Sequence, residues 1–200
     1  MRAESTGRRL ALMLTVWLAL WLGFAGPALA LSLPELMGLL AERRSGEARF
    51  TEQREVATLS APLVSSGTLS FEAPDRFVRR TLQPRAETMA VQGNTLTLTR
   101  GGKTRQFTLD AAPEMVAIVE AVRGTLTGNA EALQKHFRAQ VSGRPEQWSL
   151  LLLPLEARLA HQVREIRLDG QRADLRGVTI EMHDGDRSVM QIEPLSAAKP

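Results

Sequence analysis

The sequence predicts a mainly β protein with helices (α+β), an antiparallel sheet of about eleven strands that curls into a barrel or half-barrel and is covered by helices. Apolar and polar residues alternate with a period of two in many short segments, which is typical of half-buried strands. Tight-turn residues separate these segments, as antiparallel strands require. Two regions have helical periodicity instead. A sheet of this size curls, and we expect the helices to cover its opening.

The first thirty residues are typical of a secretory signal peptide. Arg8 and Arg9 precede an apolar run from Leu10 to Phe24, and Ala28-Leu29-Ala30 places small residues where signal peptidase cleaves. An uncleaved membrane anchor is the alternative, but the run is short against the ~20 residues that span a bilayer core. We expect cleavage after Ala30, export to the periplasm of a Gram-negative bacterium, and a single domain over residues 31–200.

The composition of the remaining chain excludes several classes of function. Of the 25 basic and 22 acidic residues, three arginines and one glutamate fall in the predicted signal peptide, which leaves a net charge of +1. A near-neutral chain without tyrosine does not fit a nucleic-acid-binding protein. Because the sequence contains no cysteine, disulfides, thiolate metal sites and a cysteine nucleophile are excluded.

The first predicted element after Ala30 is a helix. Ser32 and Glu35 form a capping-box pattern around Pro34, which marks a helix N-terminus. Gly46 fits the C-terminal end of this helix. An extended segment is then predicted from residue 48 to residue 58.

A run of short strands follows. In the stretch from Gly67 to Phe77, Leu69 and Phe71 share one face, and Ala73-Pro74-Asp75 interrupts the pattern as a turn does. Turns are also predicted at the paired residues 93–94 and 101–102. The strands predicted after the first turn are Arg76–Gln83, Glu87–Gln92, Thr95–Arg100 and Lys103–Asp110.

The period then changes to that of helices. After Pro113, apolar residues fall at the i, i+3, i+4 and i+7 spacing of an amphipathic helix, and Gly124 is predicted to end it. Asn129 is predicted to cap a shorter helix through His136, with Leu133 facing inward. Strand patterns resume at Arg138. The later strands are predicted at Gln147–Leu153, Val163–Asp169, Ala173–Met182 and Arg187–Glu193.

Several motifs carry a resemblance to a known family through their order and spacing. They are the capped first helix, Phe50-Thr51-Glu52-Gln53, the Gly67…Pro74…Phe77 hairpin, Gln83-Pro84, Gly93-Asn94-Thr95-Leu96, the mid-chain helices and Leu152-Leu153-Pro154. In these features the chain resembles the periplasmic outer-membrane lipoprotein carriers, the LolA-like family. The resemblance implies an unclosed barrel with a helical lid that holds lipoprotein acyl chains in the cavity between them.

Two residues depart from the pattern of that family. The resemblance places a lid-latching arginine at the position of Ala73 and a tryptophan at the position of Arg79. The latch therefore cannot be transferred to this chain. We expect the chain to fall in the LolA-related subgroup associated with fatty-acid or aryl polyene biosynthesis clusters, whose cargo is a different acyl lipid.

Apolar side chains of the sheet and the lid are predicted to form a lipid-binding cavity. Methionines suit such a site because their side chains adapt to irregular shapes. For any single residue, ordinary helix-on-sheet core is the alternative. The predicted cavity residues are Phe50, Leu69, Phe71, Met89, Leu96, Leu98, Phe107, Met115, Ile118, Val119, Val122 and Leu133.

Residues 76–105 form a basic segment, with seven arginines and lysines against a single acidic residue, Glu87. A local excess of positive charge attracts anionic lipid headgroups or acidic partner proteins. A solvated strand face that discourages edge pairing is the alternative. The residues predicted to form this basic mouth or docking surface are Arg76, Arg79, Arg80 and Arg85.

Catalytic motifs are missing from the sequence: it has no nucleophile elbow, no zinc-binding helix pair and no phosphate loop. His183-Asp184-Gly185-Asp186 is predicted to be a polar turn rather than a metal site. We expect a monomeric, non-enzymatic carrier of an acyl lipid or lipoprotein without metal or cofactor, served by an inner-membrane donor and an outer-membrane acceptor. A lipid-sensing or protein-interaction module of the same fold, acting in envelope regulation, is the alternative, and an enzyme acting on lipid is a third.

Overall fold

An eleven-stranded antiparallel sheet dominates the computed structural model, which describes residues 31–109 and 113–195. The predicted signal peptide, the residues from 196 onward and the side chains of residues 113–118 lie outside this description. The elements in chain order are α1 (Leu33–Ala41), β1 (Ser45–Glu55), β2 (Leu63–Glu72), β3 (Arg76–Gln83), β4 (Glu87–Gln92), β5 (Thr95–Arg100), β6 (Lys103–Thr108), α2 (Pro113–Thr127), α3 (Ala130–His136), β7 (Phe137–Arg144), β8 (Gln147–Pro154), α4 (Ala157–Ala160), β9 (Val163–Gln171), β10 (Asp174–Met182) and β11 (Arg187–Pro194).

The strands form two meanders that meet in the middle of the sheet, in the order β6-β5-β4-β3-β2-β1-β11-β10-β9-β8-β7. The first meander is β1–β6 and the second is β7–β11. At the meeting point Phe50 of β1 lies opposite Gly67 of β2 on one side and Ile192 of β11 on the other. The edge strands β6 and β7 do not pair with each other in the described part of the chain, so the sheet is not closed into a barrel. The predicted fold class, an unclosed antiparallel sheet with helices, is confirmed.

Helix α1 begins at the predicted capping box. The Glu35 amide donates to Ser32 Oγ at 3.4 Å, and the Ser32 amide donates to Glu35 Oε2 at 2.8 Å. The pKa of the Glu35 carboxyl is lowered, first by the hydrogen bond from the Ser32 hydroxyl and then by the one from the Ser32 amide. The predicted helix end at Gly46 was wrong, because Gly46 already pairs with Phe71 in the β1–β2 ladder.

Helix α2 continues past Gly124, where the sequence predicted its end. A side chain at Gly124 would place its Cβ 2.9 Å from Leu133 Cγ, so glycine there permits α2 and α3 to pack closely. The residue after the helix is Gly128, whose φ of 66° is the left-handed conformation common at helix C-termini. Helix α3 is capped as predicted, since the Ala132 amide donates to Asn129 Oδ1 at 3.0 Å. The short helix α4 was not predicted.

The main core lies on one half of the concave face, where α1 and α3 pack against β7–β9. Its buried side chains include Leu36, Met37, Leu40, Leu133, Phe137, Trp148, Leu150, Leu152, Ile166 and Leu168. On the other half, the buried cluster among the residues that the structure describes consists of Phe50, Leu69 and Ile192. Tight packing is therefore concentrated under α1 and α3, and the remaining concave surface is covered by α2. None of the described helices has the length and apolar character needed to cross a bilayer.

Candidate functional site

A cavity of about 230 Å³ separates α2 from the concave face of the sheet. A second space of about 90 Å³ adjoins it and shares five of its lining residues. Together they reach the lower end of the roughly 300–1,000 Å³ typical of small-molecule sites. The apolar residues that line the larger cavity are Ala48, Leu69, Phe71, Phe77, Met89, Val122, Leu126, Ala173, Leu175, Val178, Ile180, Met190, Ile192 and Pro194.

Strand register explains why these side chains share one face. Arg79 of β3 lies opposite Leu69 of β2 and opposite Met89 of β4, so the three side chains project from the same side of the sheet. Because strand residues alternate between faces, Phe71 and Phe77 lie on this side as well. The same alternation in β10 and β11 adds the apolar side chains of the second meander.

A polar cluster of Glu52, Ser65, Arg79 and Ser188 lies at one end of this apolar surface. The Arg79 guanidinium forms an ion pair with Glu52 Oε2, and its Cζ lies 4.7 Å from the centroid of the Phe50 ring. The hydroxyls of Ser65 and Ser188 donate to the same carboxylate, at 3.1 and 2.6 Å. The side chains of Arg79 and Glu52 are only 25% and 15% exposed. Among the described residues, the buried Nε of Arg79 has no hydrogen-bond partner.

The opposite end of the cavity is also polar. Glu52 and Gly46, which both line it, are six residues apart in β1, a distance of about 20 Å in an extended strand. Near Gly46, Arg43 Nη2 lies 2.5 Å from Asp174 Oδ1, and Arg176 Nη2 lies 3.3 Å from Asp174 Oδ2. The cavity is therefore an apolar channel with a charged pair at each end.

The C-terminal half of α2 is attached to the sheet through Arg123. Its Nη2 donates to the backbone carbonyl of Gly93 in the β4–β5 turn at 2.7 Å, and its Nη1 lies 2.5 Å from Glu120 Oε1. Val122 and Leu126, on the same stretch of helix, line both spaces. This contact holds α2, which covers the cavity, against the first meander.

The predicted cavity residues divide into four groups. Leu69, Phe71, Met89, Val119 and Val122 line the cavity or the adjoining space. Leu96 and Leu98 are half-buried on β5, on the same face as Met89, while Phe107 on the edge strand β6 is 46% exposed. Phe50 is buried beneath Arg79, and Leu133 is fully buried in the core between helices and sheet. Met115 and Ile118 belong to α2, but their side chains lie outside the description.

The predicted basic surface is divided in the structure: Arg76 and Arg80 border one groove, whereas Arg79 and Arg85 lie elsewhere. Arg79 faces the cavity, whereas its neighbour Arg80 lies on the opposite face of β3 and is exposed. Arg76 forms an ion pair with Glu72 at 3.3 Å. Arg85 is exposed in the β3–β4 connection. Within the described part of the chain, Arg80 and Arg85 form no ion pair.

The sequence did not reveal that the second meander lines the cavity, through Leu175, Val178, Met190 and Ile192. It also did not reveal that Glu52 of β1 forms part of the polar cluster. The period of two in β10 and β11 indicated two faces for these strands. It did not indicate which face is concave, because that depends on the pairing of β1 with β11.

The curled sheet leaves an apolar cavity beneath a helix, which is the kind of site that holds apolar ligands. The sequence matches the family described as outer membrane lipoprotein carrier protein LolA-like over residues 25–197, and the chain belongs to this family. The resemblance noted from the motifs is thereby confirmed at the level of the family. No curated protein matches the sequence.

Solved structures with a related architecture span most of the chain at low sequence identity. A LolA superfamily protein of Nitrosomonas europaea has 9% identity and a TM-score of 0.44, over 84% of this chain and 95% of that one. The MucA/MucB complex of Pseudomonas aeruginosa has 14% identity and a TM-score of 0.46, over 84% of this chain and 58% of that one. The lipoprotein LppX of Mycobacterium tuberculosis has 8% identity and a TM-score of 0.40, over 84% of this chain and 99% of that one. These similarities concern the fold.

Proposed function

We propose that this protein is a periplasmic carrier that holds the acyl chains of a lipoprotein or another lipid between the half-barrel and α2. It then delivers this cargo toward the outer membrane. The single observation that supports the proposal is the apolar cavity under α2, in a chain that belongs to the LolA-like family. Loading and release require α2 to move away from the sheet.

The energetics of acyl burial explain why such a carrier needs a receptor. Each buried methylene contributes about 0.8 kcal/mol, so ten methylenes contribute about 8 kcal/mol before ordering costs. Cargo held this strongly leaves slowly in water. Delivery therefore depends on an acceptor that competes for the lipid, and loading depends on a donor at the inner membrane. Arg80 and Arg85, both exposed, are basic residues that could dock these partners.

Filling the cavity tests the proposal directly. Val122→Trp places an indole in the space between α2 and the sheet, and we expect the affinity for the neutral fluorescent probe Nile red to fall at least tenfold. Val64→Trp is the matched control, because Val64 is 52% exposed on β2 and lies outside the cavity lining. Fluorescence titration of the two variants and the wild type measures the difference.

Equal Nile red affinity in the three proteins would contradict a cavity site. Native mass spectrometry of protein purified from the periplasm provides a second measurement, with an acyl lipid adduct expected on the wild type and not on Val122→Trp. Gene deletion separates the carrier from the regulatory module: a carrier mutant mislocalises a lipid product, whereas a sensor mutant changes gene expression with lipids in place.

A further inference from the structure

The polar cluster at the end of the cavity is a site for one part of the cargo. We infer that the Arg79 guanidinium donates a hydrogen bond to an uncharged acyl carbonyl, an ester or an amide, and that the Arg79–Glu52 pair discriminates against free fatty-acid carboxylates. This inference rests on the proposed function and names the chemical class of its cargo.

Arg79 retains hydrogen-bond donors that no described residue uses. Its Nη2 contacts both Glu52 and Ser65, while its buried Nε has no partner in the described part of the chain. Nη1 has no hydrogen-bond partner among the described residues either, and because Arg79 lines the cavity, this second terminal nitrogen is the donor available to a ligand oxygen. Arg79 is also fixed in place by the Phe50 ring beneath it, which lowers the entropic cost of binding.

Glu52 determines which type of ligand oxygen can bind next to Arg79. Its two carboxylate oxygens accept from Ser65, Ser188 and Arg79, and the charge of Arg79 balances that of Glu52, so the cluster is internally neutral. A ligand carboxylate in this place would add an unpaired charge beside Glu52 in a largely buried site, which is strongly unfavourable. A carbonyl oxygen accepts from Arg79 without adding charge.

The placement of the cluster fits the head of an acyl chain. Arg79 lies between Leu69 and Met89 in the register, with Phe71 and Phe77 further along the cavity. The Arg79 guanidinium contacts Glu52, so a carbonyl bound beside it leaves the chain that follows an apolar path of up to about 20 Å, the length of β1 from Glu52 to Gly46.

Competition binding tests the inference with the mature protein. Nile red is displaced by methyl dodecanoate, dodecanoate or dodecane, and the ratios of their dissociation constants are compared between proteins so that differences in water solubility cancel. In Glu52→Gln the charge of Arg79 is no longer neutralised, and we expect the affinity for dodecanoate relative to methyl dodecanoate to rise at least tenfold. Arg49→Met, an exposed residue on the opposite face of the strand that carries Glu52, should leave both ratios unchanged.

A second variant keeps the test independent of the first. Glu52→Gln/Arg79→Met removes both charges and the donor, so methyl dodecanoate should lose about tenfold in affinity relative to dodecane. Unchanged ratios in both variants, with all three competitors still displacing Nile red, overturn the inference and leave the carrier function standing. If no competitor displaces Nile red from the wild type, the carrier function and the inference fail together.

Discussion

Gly170 of β9 lies against the indole of Trp148, the largest fully buried side chain of the core. A Cβ at this position would lie 2.5 Å from Trp148 Cε2 and 2.6 Å from the carbonyl oxygen of Asp174. The indole cannot retreat easily, because its Nε1 donates to the Arg172 carbonyl at 2.9 Å. The packing of Trp148 in the core therefore requires a residue without a side chain at position 170.

We expect Gly170→Ala to lower the free energy of unfolding by about 2–3 kcal/mol, as overpacking in a well-packed core does. Urea unfolding followed by tryptophan fluorescence measures this loss. Gly177→Ala is the matched control on the neighbouring strand, since its Cβ would meet nothing closer than 3.7 Å. Equal stability of the two variants would contradict the role assigned to the Trp148 contact.

At the scale of elements, α2 connects the two parts of the molecule that form the cavity. Its Ala121 is buried in the core with α1 and α3, while Val122 and Leu126 face the cavity. Arg123 joins it to the β4–β5 turn. The helix is therefore anchored on one side by packing and on the other by a charged hydrogen bond.

Arg123→Met should weaken this second anchor. A hydrogen bond from a charged donor contributes about 1.5–3 kcal/mol, so local opening of α2 should become roughly tenfold or more easier. Hydrogen exchange at residues 119–127 should accelerate, and Nile red should dissociate faster, while global unfolding in urea changes little. Arg138→Met, on the edge strand β7, serves as the control. Exchange rates in α2 equal to those of the wild type would show that Arg123 does not hold the helix.

Element boundaries show what a single sequence can determine. The Ser32–Glu35 capping box and the Asn129 cap were predictable, because the interacting groups are three residues apart. The end of α2 was not, because the role of Gly124 comes from its contact with Leu133 on another helix. Gly46 was misassigned for a similar reason, since its partner Phe71 is 25 residues away.

At the scale of the whole molecule, packing is unequal across the sheet. Strands β8 and β9 contribute Trp148, Leu150, Leu152, Ile166 and Leu168 to the main core, whereas every residue of the edge strand β6 is exposed. Elements with few buried apolar contacts open most readily.

Native-state hydrogen exchange should reveal this asymmetry. We expect amides of β8 and β9 to exchange only by global unfolding, and those of β5 and β6 to exchange at least a hundredfold faster through local opening. Mass spectrometry of peptides from residues 95–108 and 148–168 measures the difference. Binding of Nile red should slow exchange in β3 and β4, next to the cavity, and not in β8. Uniform protection from exchange across the sheet would contradict the inference that unequal packing makes β5 and β6 less stable than β8 and β9.

The candidate site was predictable only in part, for reasons of topology. Leu69, Phe71 and Met89 could be placed together because β2, β3 and β4 are consecutive hairpins whose registers follow from short turns. Met190 and Ile192 could not, because they join the site through the pairing of β11 with β1. The pairing of Arg79 with Glu52 escaped prediction in the same way, since β2 lies between their strands.

The central pairing of β1 with β11 has a consequence for how the chain folds. Each meander can assemble from neighbouring hairpins, but Phe50 meets Ile192 only by closing a segment of more than a hundred residues, at an entropic cost of about 4 kcal/mol. Slow, non-local closure of this kind is expected to follow local assembly. The walls of the cavity come from both meanders, so until that late step two apolar surfaces face water. Folding chains are most exposed to aggregation in this interval, before a binding site exists.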